Sequence, residues 1–477
     1  MSKQIIFNAF EMNCVGHQSP GLWKHPRDRS WQYKDLNYWI ELAQKLELGF
    51  FNAFFIADVI GYYDIYDGNA RAAIKSGAQI PVNDPLQLAA PIAHATKHIG
   101  IGVTASTTFE HPYPFARRLT SADHYTNGRV AWNIVTSYLD SGAHNIGLKD
   151  LGEHDERYEI ADEYVRVIYK LLEGSWEEGA VERNRETGIF TNPDKVHNIG
   201  HKGKYFEVPG IHMGEPSPQR TPVLFQAGVS PRGQRFAAQH AEAAFISGPE
   251  KSGLKDIVAN IRKYTKEYGR DPHDVAVFAI ATIIVDETDE KAWAKYEEYS
   301  KYIDRDGALA LLSGWTGVDF AKFKSTDRTN TIDLGAGSTF VDALTHGVER
   351  NWTVDDVVRW VGIGGPGPVF VGSAKTVADI VQEWIAETDI DGLNIAYAVS
   401  HETWEDVIKY LIPELQKRGV YPTSYKDGTL REKIFGRRYL PDNHPAAKYR
   451  DIEKVKKEEV KQQRFEADLK NLTAVHP

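Results

Sequence analysis

Eight short apolar runs recur along this chain, and most are followed by a segment whose apolar residues repeat at helical spacing. The runs are Gln4–Phe10, Phe50–Asp58, Ile99–Ser106, Arg129–Ser137, Thr221–Gly228, Ala241–Ser247, Val275–Val285 and Asp391–Val399. Between them, Leu36, Trp39, Ile40 and Ala43 mark one helix, closed by Gly49, and Tyr158, Ala161, Val165, Ile168 and Leu172 mark a longer one. Leu86–His98, Leu254–Tyr268, Lys375–Glu387 and Thr403–Arg418 are further helical stretches. Alternation of this kind demands parallel strands, because each return to the sheet in the same direction needs a crossover. Several runs are apolar throughout, as strands covered on both faces are. Eight such units predict an α/β chain closed as a (β/α)8 (TIM) barrel, with a doubly wound open sheet as the alternative.

Two stretches break the alternation, 174–220 and 286–366. They are expected to be insertions on a barrel that occupies residues 1–450, the second acting as a lid. The Lys- and Glu-rich tail, 451–477, is expected to be an exposed helix or arm, or else to pack on another subunit. The net charge of −10 argues against a nucleic-acid binder. No apolar run is long enough to span a membrane. The start, MSKQIIFNAFEMN, lacks the pattern of a secretory signal, and the single cysteine, Cys14, allows no disulfide within the chain and no Cys-rich metal site. A cytoplasmic protein is the expectation.

The stretch VLFQAGVSPRGQRFAA (223–238) ends a strand at Gly228 and opens a helix at Pro231. A helix start on the loop face of a barrel offers free N–H groups and a positive dipole end, which is an anion site. A plain Ser–Pro helix cap is the alternative. EHDERYEIADEY (153–164) sets His154 and Tyr158 on one helix face, with Asp155 and Glu156 in the first turn. Neither it nor HETWE (401–405) has the second histidine of a zinc motif, and His197 and His201 read as loop residues. GIGGPG (362–367) spells a dinucleotide fingerprint, but Pro366 and Pro368 and the extended run after it exclude that reading. No G-x-S-x-G elbow is present. Asp58, Thr104, Ser106, Asn133, Thr136 and Ser137 end their strands, so a barrel brings them to one mouth.

Read together, NAFEMNCVGH (8–17), FIADV (55–59), QIPVNDP (79–85), GRVAWNIVTS (128–137), EHDERYEIADEY and QAGVSPRGQRFAA resemble the bacterial-luciferase-like flavin monooxygenases. The nearest group holds the nitrilotriacetate, dibenzothiophene-sulfone and long-chain alkane monooxygenases. The resemblance runs to about Arg450 and implies a luciferase-like barrel. It also implies reduced FMN from a separate NAD(P)H-dependent flavin reductase, O2 as co-substrate, oxygenation through a peroxyflavin, and a homodimer or tetramer. By the same resemblance Gly228, Val229, Ser230 and Tyr158 hold the phosphate, and Asp58, Thr104, Asn133, Ser137 and His154 follow the ribityl chain and ring. Cys14, His17, Tyr63 and Gln79 match substrate-pocket positions of the alkane-oxidising members. Those members carry histidines where this chain has Tyr138 and Leu311, which leaves Tyr138 or His17 as the candidate proton donor. GALALLSGWTG (307–317) and GIGGPGPVFVGS (362–373) look more like the aminopolycarboxylate and organosulfur members, so the substrate stays open among these classes. An F420-type oxidoreductase and a non-catalytic flavin-binding protein are the alternatives on the same fold.

Overall fold

The computed structural model describes residues 3–329, 331 and 352–461. All eight apolar runs become parallel strands: β1 (Ile6–Met12), β2 (Ala53–Ala57), β3 (Gly100–Ser106), β4 (Val130–Val135), β5 (Val223–Ala227), β6 (Ala243–Ile246), β7 (Ala276–Asp286) and, last in the chain, β9 (Gly392–Ala396). They pair in the order β6-β5-β4-β3-β2-β1-β9-β7, and β6 pairs again with β7 through Ala243↔Ala276. The ring is therefore closed, and the open-sheet alternative falls.

One further strand, β8 (Val369–Ser373), stands outside the ring. It runs beside the upper half of β7, from Thr282↔Val369 to Asp286↔Ser373. Thr282 also pairs with Ala396 of β9. So β8 lies along the same edge of β7 that β6 occupies lower down. Its approach, GIGGPG, is a turn in which Gly364 and Gly365 take positive φ (83° and 73°), and no helix follows directly.

Helices cover the ring from outside. Those used below are α1 (Leu36–Leu48), α2 (Leu86–Ala95), α3 (Pro112–Tyr125), α4 (His154–Tyr169), α5 (Pro231–His240) and α6 (Lys251–Glu267). The stretch 174–220 carries two small antiparallel hairpins, Val181–Asn184 with Ile189–Thr191 and His201–Lys202 with Glu207–Val208. The stretch 286–366 carries α7 (Asp289–Ser300), α8 (Arg305–Thr316) and α9 (Val354–Val361), while 330 and 332–351 lie outside the described residues. Among the described residues no helix is long and apolar enough to cross a membrane.

The barrel interior is filled largely by phenylalanine. Phe10–Phe55, Phe55–Phe225 and Phe225–Phe278 meet with ring centroids 5.6, 5.3 and 6.0 Å apart. Each such ring removed from water contributes roughly 1.5–3 kcal/mol. The N-terminal end is plugged by the short helix Leu430–Phe435. A Cβ on Gly100 would stand 2.5 Å from Leu430 Cδ1, so the glycine leaves the plug its space. Behind it the buried Arg431 guanidinium grips Glu242, Nε to Oε1 at 2.7 Å and Nη2 to Oε2 at 2.9 Å.

The tail corrects one expectation. Residues 452–461 are helical, and Ile452 and Val455 are buried in the cluster that holds Tyr169 and Leu172. Glu459 pairs with the buried Lys170 ammonium at 2.9 Å. Two apolar residues three apart suffice to seat one helix face, so this part is no free arm. Residues 462–477 lie outside the described set.

Candidate functional site

The strand ends converge as a barrel requires. A cavity of about 400 Å³ opens at the C-terminal mouth. Eight of the nine expected cofactor residues line it: Asp58, Thr104, Ser137, His154, Tyr158, Gly228, Val229 and Ser230. The ninth, Asn133, is buried on β4 and donates from Nδ2 to Thr104 Oγ1 at 2.9 Å.

At the β5–α5 loop the cap and the anion site coexist. Ser230 is extended (φ −65°, ψ 154°), and its Oγ accepts from Gly233 N–H at 3.1 Å. Gln234 Nε2 donates to the Val229 carbonyl at 2.6 Å. That leaves the N–H groups of Val229 and Ser230 without a partner among the described residues. Tyr158 brings its hydroxyl to the same place, where Gln226 Nε2 donates to it at 3.4 Å. A Cβ would sit 3.0 Å from that hydroxyl at Gly228 and 2.8 Å at Gly233, so both glycines keep the cradle open. His154 Nδ1 lies 2.8 Å from Asp155, and Nε2 lies 3.3 Å from Ser230 Oγ. With Nδ1–H donating to the carboxylate, Nε2 is placed to meet the Ser230 hydroxyl. Asn133 Oδ1 and Gln226 Oε1 are buried without a partner. Buried acceptors are normally satisfied, so both mark places for a ligand's donors.

A second cavity, about 360 Å³, adjoins the first and shares Tyr138, Ala227, Gly228, Val229 and Trp315 with it. Phe10, Phe245, Ile246, Ile280 and Pro366 make most of the remaining wall, with Gln18 and Ser247 as polar points. Phe10 and Phe245 meet edge to face at 4.7 Å. This lining contains no Asp, Glu, Lys, Arg or His.

The expected pocket residues Cys14, Tyr63 and Gln79, and with them His17, line neither of these two cavities. They form the layer behind Tyr138. Gln79 Nε2 donates to the His17 carbonyl at 2.8 Å, which fixes the amide so that Oε1 faces Tyr63. Tyr63 O–H donates to that Oε1 at 2.9 Å, and Tyr63 and Tyr138 hydroxyls meet at 2.5 Å. Tyr138 is therefore the donor of that pair, and its proton points away from the cavity until the hydroxyl turns. Burial pushes its pKa up to about 12. The ring is half exposed at the cavity wall, while the hydroxyl is turned inward. His17 is fully buried, and desolvation pulls it down to about 3, so it stays neutral. Cys14 sits in an apolar cluster with Met12, Tyr63 and Leu311 and is held as the thiol by burial.

Asp58 is an ionisable group of the polar cavity whose titration is moved to near neutrality. Burial first, and the Asp84 charge second, lift its carboxyl from 3.8 to about 7. The native state thus binds this proton more tightly than the unfolded chain. Its contribution to stability is complete below the ordinary Asp value and is lost as pH rises through about 7. The urea midpoint is expected to fall from about pH 4 to about pH 7 and to level off above that, and Asp58→Asn should remove that slope. A slope that survives in Asp58→Asn assigns it to another group.

Four residues escaped the sequence reading. Gln226 holds the Tyr158 hydroxyl, Trp315 of α8 roofs both cavities, Gln18 supplies a polar point, and Arg157 stands between the cavity and Ser137. Gln226 and Arg157 lie inside quoted motifs, and a polar residue in an apolar strand was a usable signal for Gln226. Trp315 also lies inside a quoted stretch, GALALLSGWTG, while Gln18 carried no local signal.

Comparison with known proteins identifies the family and the fold. A family model described as luciferase-like monooxygenase matches residues 10–387. The dimethyl-sulfide monooxygenase of Hyphomicrobium sulfonivorans is 49% identical over 454 residues, covering 94% of this chain and 95% of that one. The long-chain alkane monooxygenase of Geobacillus thermodenitrificans (strain NG80-2) is 49% identical over 454 residues, covering 95% and 99%. The crystal structure of riboflavin lyase with modified FMN and riboflavin superposes with a TM-score of 0.87 at 33% identity, covering 94% and 100%.

Proposed function

This chain belongs to the luciferase-like monooxygenase family, and from that premise we propose that it is the oxygenase component of a two-component system. It takes reduced FMN from a separate NAD(P)H-dependent flavin reductase and uses O2 to oxygenate a small, uncharged, apolar substrate. The observation that carries this reading is the pairing of two cavities across one wall. One is polar and ends at an anion cradle; the other is apolar and uncharged.

Reduced FMN, when bound, supplies the electrons that activate O2. The residues of this chain do the rest. Val229 and Ser230 N–H, the Ser230 hydroxyl and Tyr158 hold the phosphate. Thr104, Asn133 and Ser137 meet the ribityl chain, Asn133 through the Oδ1 that lacks a partner. Trp315 and Pro366 close the mouth against water, which keeps oxygenation from decaying to peroxide release. Tyr138, of the two candidate proton donors, is the one that reaches the cavity wall. His17 is assigned to support behind it, through the Gln79 and Tyr63 chain.

The substrate class follows from charge. An aminopolycarboxylate in the apolar cavity faces no cation, and burying an unpaired carboxylate costs several kcal/mol. Thioethers and alkanes pay no such penalty. The test mixes the chain with photoreduced FMN and isotopically labelled O2, without reductase, and offers dimethyl sulfide, alkanes and nitrilotriacetate. Label is expected in a thioether or alkane product and absent from nitrilotriacetate products. Labelled nitrilotriacetate products would sink the neutral-substrate reading. Tight FMN binding with no labelled product would favour a flavin-storage role, and binding of F420 in preference to FMN would favour the deazaflavin alternative.

A further inference from the structure

Arg157 is a cation facing the polar cavity with no anion paired to it among the described residues. It sits in the first turns of α4 and lines the cavity with Ser137, His154, Tyr158 and Ser230. Its Nη1 donates to the Ser137 carbonyl at 2.5 Å, and its Nε is buried without a partner. Asp140 and Glu153 act on it only through space. Burial works against its charge, pulling its pKa below the ordinary arginine value. The other guanidinium at this corner is already engaged: Arg232 pairs with Asp162 and lies over the Tyr158 ring at 5.2 Å.

The cradle at the β5–α5 loop consists of neutral donors, namely two backbone N–H groups and two hydroxyls. A helix N-terminus adds only about half a positive charge. A phosphate monoester brings between one and two negative charges at neutral pH. We infer that Arg157 is the cationic partner of the flavin phosphate, turning Nε and Nη2 to it while Nη1 keeps the Ser137 carbonyl. This rests on the FMN reading above. The same guanidinium then holds two things at once. Ser137 takes the left-handed conformation (φ 62°) just before Tyr138, so the anchor that meets the phosphate also fixes the start of the wall shared with the apolar cavity.

The experiment measures dissociation constants of oxidised FMN and of riboflavin, which lacks the phosphate, for the wild type, R157Q, R157K and S230A. The wild type is expected to prefer FMN. In R157Q that preference should fall about tenfold to hundredfold, with riboflavin affinity changed by less than about threefold. R157K should recover part of it, because the charge returns without the planar fork. An unchanged FMN preference in R157Q overturns the inference, and so does an equal loss for both ligands, which would make Arg157 a support of the wall alone. Should R157Q fail to fold, R157K decides: a preference for FMN equal to the wild type's at both low and high salt overturns the inference. A wild type that binds FMN no better than riboflavin removes the FMN-phosphate reading itself. A preference lost in S230A and kept in R157Q removes only the role of Arg157.

Discussion

Arg431→Met is expected to destabilise the protein by about 3–5 kcal/mol, read as a lowered urea midpoint at unchanged slope. Both partners of the Arg431–Glu242 pair have fully buried side chains. Arg431 also gives Nη2 to the Thr221 carbonyl at 2.7 Å and Nη1 to the Gln219 carbonyl at 3.3 Å. Removing the guanidinium strands a carboxylate and leaves three carbonyls, those of Gln219, Thr221 and Arg438, short of a donor, all at the closed end of the barrel. The double variant Arg431→Met with Glu242→Leu should recover most of the loss, because no charge is then left unpaired. A cost below about 1 kcal/mol in the single variant would mean that water reaches Glu242. This plug lies at the opposite end from the cavities, so flavin affinity should survive in whatever fraction stays folded.

Gly228→Val is expected to do the reverse, weakening FMN binding at least about hundredfold, roughly 2.7 kcal/mol, while stability changes by less than about 1 kcal/mol. A Cβ at this position would come within 2.5 Å of Gln226 Nε2 and 3.0 Å of the Tyr158 hydroxyl. Both are ends of side chains, and the third neighbour, the Gly233 Cα at 3.2 Å, is backbone at the start of α5, so what moves to admit the valine is the cradle and not the barrel. Titration of FMN into the variant, beside a thermal melt, separates the two effects. Retained affinity would show that Tyr158 is not needed where it stands.

How far the fold could be read from the residues follows from where each signal resides. Strands buried on both faces advertise themselves as unbroken apolar runs, and all eight ring strands did so. β8 was seen only as extended chain after GIGGPG, because VFVGS is short and its sole partner, β7, is more than eighty residues earlier. Its place on the edge already used by β6 is a three-dimensional fact without a local trace. The cavity residues followed a rule of position: Asp58, Thr104 and Ser137 end strands, and the ends of barrel strands meet. Cys14, Tyr63 and Gln79 differ from the expectation in depth: they line neither cavity. They lie on the side of the apolar cavity but one layer behind Tyr138, and depth depends on how β1 and the loop after β2 pack. Arg157 was passed over because a basic residue in a charged helix turn is usually solvated; its cavity position appears only when α4 is docked on β4. The pairing of Arg431 with Glu242, 189 residues apart, had no sequence signature.

The stacking of β8 above β6 on one edge of β7 has its own consequence. Below Ile280 the wall there is backbone hydrogen-bonded through β6; from Thr282 upward it is hydrogen-bonded through β8. Between the two, closure is left to the turn 362–368, which delivers Pro366 to the apolar cavity and packs Gly367 so tightly that a Cβ would stand 2.8 Å from the Ile280 carbonyl oxygen. The breadth of that cavity is on this side a matter of chain length, like a belt notch, since the turn spans a fixed gap between α9 and the register of β8. Dropping one residue from it would either drag Pro366 outward or slip β8 along β7, reversing which of its side chains face inward. The breadth of this cavity can therefore change with the number of residues in a single turn, with every side chain of the ring left as it is.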